Sequence, residues 1–543
     1  MATQVPGGGL SPVEQSLVEH VGRGERLDLV PKGEAVDEAA MRSWGESRTV
    51  SAAVIRDILR GRLAPDPDPH GLRLRGAKIA GRLDLENLTT DVNLQLLDCL
   101  LEEGALAQDA RLAAVSLAGC QLGHPAEPPL EADRLLCRAL SLSGARIIGH
   151  AYFGAIRLTD ARIGSSFFCG RTAVSNDSGP ALTADGLYVG GSMFLRGGFT
   201  ATGAGENGTV RLVGAHIDGQ LDCTGAALRN DSGPALIANR LQVGQSIYLL
   251  DEFTATASGA GSAVDLLGAH IGGHLDCEGA VLRNDSGWAL NVESLQVAQN
   301  MFLRKGFTVT GGGESVAVNL TAARIGGALA FDPALLEHVD DPHRRLKVDG
   351  LTYTGVPHGI SALGWLDLLR HGTPSYAAQP YQQLAAGYRA AGDERQARKI
   401  LMAQRDDELT RTDARGSERL WGKITKVTLG YGYQPWKALL FLAAVVVISC
   451  LLAVVLGSHG ALAQTKDMAT PGQPCTVFQK ASAGLALSLP VGTSVAQAGC
   501  DLAKDAASTT AAWLTAVGWV LRLLAWGFAA LFVAGFTSAV RKT

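Results

Sequence analysis

Aliphatic residues return along the middle of the chain at a fixed beat. Ile163, Val189, Ile217, Val243, Ile271, Val297 and Ile325 follow one another at spacings of 26, 28, 26, 28, 26 and 28 residues. Around these anchors, short stretches alternate apolar and polar, as in Val210-Arg211-Leu212-Val213 and Leu241-Gln242-Val243. Alternation with period two, broken by glycine corners, specifies short strands and not helices. A second marker carries the same period. Asn176-Asp177-Ser178-Gly179-Pro180 comes back as Asn230-Asp231-Ser232-Gly233-Pro234 and as Asn284-Asp285-Ser286-Gly287, 54 residues later each time. One 54-residue unit is therefore two unequal coils, stacked about 4.8 Å apart. The pattern predicts a mainly β fold, a right-handed parallel β-helix over residues 71–355, with less regular first coils (71–160) and a last strand pair at 345–354.

The period changes at both ends. Residues 1–62 read as a helical N-terminal cap: Ser11-Pro12-Val13-Glu14 is a helix start, and Trp44–Gly61 has Val50, Val54, Ile55, Ile58 and Leu59 at helical spacing before a glycine stop. Pro65-Asp66-Pro67-Asp68-Pro69 then breaks the chain ahead of the first strand. A cap is expected because the first coil would otherwise expose strand edges. Residues 361–426 read as a helical hairpin and linker, with helices at 361–370, 380–391 and 393–409. Its small and aromatic residues have tetratricopeptide-like spacing, but one hairpin is a C-terminal cap or docking element and not an array.

Residues 437–543 read as a two-span membrane domain with an external loop, 458–510. Ala438–Gly457 has 20 residues without a charge, and Ala511–Val540 carries only Arg522. Either is long enough to cross about 30 Å of hydrocarbon. Counting back from Arg541 places Arg522 at the far interface, near an aromatic belt of Trp513 and Trp519. Lys423, Lys426 and Lys437 precede the first span and Arg541 and Lys542 follow the second. The positive-inside rule then puts both termini and the β-helix in the cytoplasm, at the plasma (inner) membrane. Residues 1–25 contain no apolar run of the secretory kind.

Composition narrows the partners. The net charge of −4 gives no basic surface for nucleic acid, while the lipid bilayer is a partner by virtue of the spans. Cys99, Cys120, Cys137, Cys169, Cys223 and Cys277 fall in the cytoplasmic part, and the last three share one phase of the repeat, pointing inward. Cys475 and Cys500 fall in the external loop and are able to form a disulfide there.

The anchor phase also aligns candidate surface residues. One position before the anchors lie Arg162, Tyr188, His216, Gln242, His270, Gln296 and Arg324. Five positions after them lie Phe168, Phe194, Asp222, Tyr248, Asp276, Phe302 and Ala330. If the anchors point in, both sets point out. Arg162, Tyr188, His216, Asp222, Tyr248, His270, Asp276 and Arg324 make the candidate binding stripe.

Chemistry finds less support. His216 and His270 are two coils and about 10 Å apart, too far to share an ion with bonds of about 2 Å. Asp222 and Asp276 have the spacing of an inverting carboxylate pair, but any solenoid generates such pairs by repetition. Asp177, Asp231 and Asp285 recur only every second coil, which argues for Asx turns and against calcium. Gly203-Ala204-Gly205-Glu206-Asn207-Gly208 has dinucleotide-loop spacing but runs into Thr209-Val210-Arg211-Leu212-Val213, a strand and not a helix. No Cys-x-x-Cys occurs. No catalytic residue, metal site or cofactor is assigned. Residues 478–493 have the length of a re-entrant segment without a recognisable filter, or of an interfacial helix before a proline turn.

Four stretches carry a resemblance: Trp44 with Arg48-Thr49-Val50, residues 72–85 (LRLRGAKIAGRLDL), Pro380-Tyr381 with Tyr388-Arg389, and Gly430-Tyr431-Gly432-Tyr433-Gln434-Pro435-Trp436. Together they resemble actinobacterial membrane-anchored β-helix repeat proteins often labelled membrane-associated oxidoreductases. The resemblance implies architecture and no catalytic residues. The expectation is a membrane-anchored scaffold or binding platform for a protein partner. The alternatives are a two-span channel or sensor, built as a homo-oligomer and regulated by the solenoid, and an oxidoreductase by label alone.

Overall fold

The computed structural model describes residues 9–31, 36, 38–412, 415–459, 462–464, 473–488, 500–502 and 509–542. The chain divides into two compact units, Met1–Ala397 and Arg398–Thr543.

The first unit begins with helix α1, Pro12–Arg23, whose start is a capping box between Ser11 and Glu14 and whose end is Gly24 at φ 68°. Two short helices follow, α2 (Glu38–Arg42) and α3 (Ala52–Leu59). The helix expected from Trp44 therefore starts eight residues late. Thr49–Ser51 is instead a strand paired in parallel with Lys78–Ala80, so Val50 lies opposite Ile79 and is fully buried. Leu27–Asp28 likewise pairs with Leu74–Arg75. A β-branched Thr-Val beside an open strand edge gains more from pairing than from a helical turn. The N-terminal segment thus covers the first coil and also supplies two of its strands. Glu14 ties the two functions together, accepting from the Ser51 backbone N–H at 2.9 Å.

The middle is a parallel β-solenoid of about 11 turns. Its strands form three long sheets of 19, 12 and 11 strands among the described residues. The register reproduces the anchor spacing: Ile163 pairs with Val189, Val189 with Ile217 and Ile217 with Val243. Inside, large and small side chains alternate from coil to coil. Thr172, Phe199, Ala226, Phe253, Ala280 and Phe307 precede the successive paired residues Ala173, Thr200, Ala227, Thr254, Val281 and Thr308, and all six are buried. Cys169, Leu195, Cys223, Leu249, Cys277 and Leu303 form a second such column, next to paired outer residues and likewise buried. Each ring or leucine fills space left by small neighbours above and below, which is why the repeat is two coils and not one. Burial pushes the Cys169, Cys223 and Cys277 thiols well up, and Cys137 to about 12.

The repeated Asn-Asp-Ser-Gly corners are built on asparagine. Asn230 is buried, accepts from the Ser232 N–H at 3.0 Å, and donates to the carbonyls of Pro234 (2.9 Å) and Gly205 (3.1 Å). Asn176 does the same in its coil, and Asn284 accepts from the Ser286 N–H but gives both amide hydrogens to the preceding coil, at the carbonyls of Gly259 and Gly261. These are Asx turns that also stitch one coil to the one before.

Beyond the last strand, Leu346–Lys347, helix α4 (Ala362–His371) closes the open end. Trp365 is buried edge-on against Phe331, with ring centroids 5.2 Å apart. Helix α5, Gln379–Ala390, then caps backbone carbonyls of the final coil: Gln379 donates to Leu351 O and Gln383 to Tyr353 O. Helix α6, Glu394–Arg411, crosses the unit boundary.

The second unit continues with α7 (Gly416–Leu429), α8 (Trp436–Ser458), α9 (Val477–Ser488) and α10 (Thr509–Lys542). Two stretches, Trp436–Ser458 and Ala516–Thr537, are long and apolar enough to cross a membrane, and only 17% of each apolar window is buried by the chain itself. Arg522 lies within the second stretch, six residues after its first residue, Ala516. Helix α9 lies against α8, where Ser449 Oγ donates to Gly484 O at 2.7 Å. A methyl group on Gly484 would lie 2.6 Å from Cys450 Cα, so the two backbones approach closely. Cys475 and Cys500 are joined by a disulfide, next to an antiparallel pairing of Leu462–Gln464 with Cys500–Leu502. Of the 478–493 segment, residues 489–493 lie outside the described residues, as do the side chains of Arg541 and Lys542.

Candidate binding face

The outer surface of the 19-stranded sheet carries both predicted columns. Arg162, Tyr188, His216, Gln242, His270, Gln296 and Arg324 pair in unbroken parallel register, each one residue ahead of a buried anchor. The pleat alone sends them outward, and all are exposed or half-exposed.

The two ends of this column differ. At the N-terminal end the side chains satisfy one another. Tyr188 and His216 stack with centroids 5.5 Å apart, and the Arg162 guanidinium lies over the Tyr188 ring. Asp218 accepts from Tyr188 Oη at 2.6 Å and contacts His216 Nε2 at 2.8 Å. The Tyr188 hydroxyl beside it holds the Asp218 carboxyl below the usual range, and Asp218 in turn raises Tyr188. His216 Nδ1 also reaches Gln242 Oε1 at 3.2 Å. Toward the other end, no side-chain hydrogen bond among the described residues engages His270, Gln296 or Arg324, nor Tyr248 of the second column, so their polar groups are available.

The second column needs a correction. Phe168, Phe194, Tyr248 and Phe302 present rings outward, with Phe168 and Phe194 stacked 5.3 Å apart. Asp222 does not join them. It is 5% exposed, accepts from Arg196 at 2.9 Å and from Thr224 Oγ1 at 2.6 Å, and is covered by that guanidinium. Ala330 is buried as well. Asp276 is half-buried and its carboxyl is pushed up, chiefly by desolvation. Tyr248 stands between Asp222 and Asp276 in the register. With one carboxylate locked in an ion pair, the two do not form a hydrolytic pair.

Four residues outside the expected stripe shape this face: Arg196, Asp218, Arg304 and His274, whose ring lies 5.6 Å from that of Phe302. Arg196 stacks on Phe194 at 4.5 Å and Arg304 on Phe302 at 4.9 Å. Arg304 and Lys305 both hold Glu278, whose carboxyl stays low because their hydrogen bonds outweigh its desolvation. A signal for the arginines is in the sequence: Phe194-Leu195-Arg196-Gly197-Gly198-Phe199 returns as Phe302-Leu303-Arg304-Lys305-Gly306-Phe307. Asp218 has no counterpart in the other coils, where glycine or alanine occupies its place at Gly190, Gly244, Gly272, Ala298 and Gly326.

The remaining candidates stay apart. No group of three or more His, Cys, Asp or Glu suited to a metal occurs among the described residues. His216 and His270 are separated by Gln242 in the sheet. Asp177, Asp231 and Asp285 pair individually with His150, Arg229 and Arg283. The glycines at 203–208 join the strand Thr200–Gly203 to the strand Val210–Arg211, a coil corner without a helix to hold a pyrophosphate.

Comparison with protein-family models, with curated proteins and with solved structures returned no match. Fold and surface define the class: a parallel β-helix with helical ends, an aromatic and cationic outer face, and two C-terminal helices able to cross a membrane.

Proposed function

We propose that this chain is a membrane-anchored platform whose β-helix docks a protein partner at the cytoplasmic face of the plasma membrane. The observation that carries the reading is the outer face of the 19-stranded sheet, where Tyr248, His270, Gln296, Phe302 and Arg324 are offered in register on a rigid surface. Aromatic and arginine side chains on a rigid support lose little entropy on binding, and they dominate protein interfaces. The membrane role of α8 and α10, the cytoplasmic side and the resemblance to membrane-anchored repeat proteins belong to the same proposal. The lysines before α8 support that sidedness, and so do six buried unpaired thiols in the solenoid beside a disulfide in the opposite loop.

The test is site-specific photocrosslinking in intact cells, with the photoreactive group placed at His270 or Gln296 on the face and at Thr183 or Ile237 on the sheet of 11 strands. The reading expects one protein adduct from the first pair of positions and none from the second. Equal labelling at both, or none at either, overturns it. A cysteine at Gln242 that reacts with an impermeant thiol reagent without lysis would overturn the sidedness alone.

A further inference from the structure

Helix α7, Gly416–Leu429, has two surfaces within the second unit. Gly422 and Leu429 are buried on one side, and a methyl on Gly422 would strike Leu409 of α6 at 2.3 Å, while Thr428 is buried in the last turn. The opposite surface is exposed and divided. At 100° per residue, Val427, Leu420, Ile424 and Trp421 fall on one arc, and Arg419, Lys423 and Lys426 on the adjoining one. Leu420, Trp421 and Val427 are 62%, 59% and 57% exposed, so the described chain leaves most of this apolar arc uncovered. Such a division is that of a helix lying in a membrane surface, apolar side down and cationic side toward headgroups.

The position of α7 supplies a second argument. Its last residue, Leu429, lies at the ends of both apolar helices: a methyl on Gly535 of α10 would meet Leu429 at 3.0 Å and Pro435, the residue before α8, at 3.3 Å. Only six residues separate α7 from α8, and Gly430 at φ 53° and Tyr431 at φ 56° turn the chain between them. Asp406 of α6 fixes that turn, accepting from Tyr431 Oη at 2.7 Å and from Lys426 Nζ at 2.5 Å. Burial and this aspartate raise the Tyr431 phenol above its ordinary value. The apolar arc is therefore anchored where the bilayer surface must be if α8 and α10 cross it, and Arg419 and Lys423 stand beside it.

We infer that α7 lies in the inner membrane surface, with Leu420, Trp421, Ile424 and Val427 in the acyl boundary and Arg419 and Lys423 on anionic lipid headgroups. This rests on the two-span reading of α8 and α10. A nitroxide label on the full chain tests it, using Ile424→Cys, Arg419→Cys and Val447→Cys, each with Cys450→Ser, reconstituted in vesicles of phosphatidylglycerol and phosphatidylcholine. The expected result is that the label at 424 collides more with dissolved oxygen than with a water-soluble nickel chelate. The label at 419 should do the reverse. In phosphatidylcholine alone the label at 424 should move toward water, and an unchanged depth there overturns the anionic-lipid part. Labels at 419 and 424 both in water, with 447 in lipid, overturn the inference and leave the spans standing. A label at 424 shielded from both reagents assigns the arc to a protein or a second copy, and overturns it too. A label at 447 in water removes the two-span reading and this inference with it.

Discussion

Ile271 and Val447 are both branched aliphatic residues, yet one is 2% and the other 56% exposed. Ile271 sits in a β-helix coil, where the neighbouring coils supply its apolar surroundings through the pairings of Val243 and Val297. Val447 sits at the middle of α8, where the chain buries only a sixth of the apolar window. The solenoid makes its own interior by repetition. The C-terminal helices have an apolar outside, the pattern of a helix long and apolar enough to cross a membrane. A side chain's hydrophobicity thus has one meaning in the first unit and another in the second.

Substitutions can separate the two meanings. The largest effect is expected for Ile271→Asp, which places a carboxylate between Val243 and Val297 without a partner. It should cost on the order of 3 kcal/mol or more and abolish cooperative melting of the solenoid, read by circular dichroism. An unchanged melt would dismiss the anchor phase. Val447→Asp should leave that melt untouched but cost about 3 kcal/mol of insertion, read as loss of chain from the membrane fraction. If the membrane fraction is unaffected, α8 does not face lipid. Asn230→Ala removes the side chain that bridges two coils and should cost about 1–3 kcal/mol, whereas Asp231→Ala beside it breaks only an exposed pair with Arg229 and should be nearly neutral. Comparable losses from the two would show that the corner depends on its surface charge.

The smallest effect is expected at Asp276, where the direction depends on pH. Desolvation raises its carboxyl above the unfolded value. Its contribution to stability is then fully present below the unfolded value and is lost as pH rises through the folded one. At neutral pH the ionised form is the less favourable one, so Asp276→Asn should raise the melting temperature slightly, by under about 2 °C. The gain should vanish on acidification below the ordinary aspartate range. A gain that grows on acidification would reverse the sign assigned here.

How much was legible beforehand differs between elements for physical reasons. The coil register was readable because one position in every coil must be apolar, whatever surrounds it. The alternation of Phe199, Ala226, Phe253 and Ala280 was printed in the sequence, but its meaning depends on which residues become vertical neighbours. Thr49-Val50-Ser51 was misread as helix because its local spacing suits a helix, and only the free edge at Lys78–Ala80 makes a strand the better state. On the outer face, Asp222 followed the alternation but not the expected exposure, since Arg196 reaches across a coil to cover it. Long side chains on a surface choose partners that alternation does not encode.

By itself, the sequence determined the β-helix, its two unequal coils, its inward cysteines and two apolar helices at the end. Each follows from periodicity or length, which act locally and identically in every repeat. Only the tertiary structure decided that the N-terminal segment lends strands to the first coil, which half of the stripe keeps free polar groups, and that α7 turns an apolar arc outward beside the ends of the two apolar helices. Those outcomes depend on contacts between residues distant in the chain, and no local pattern contains them.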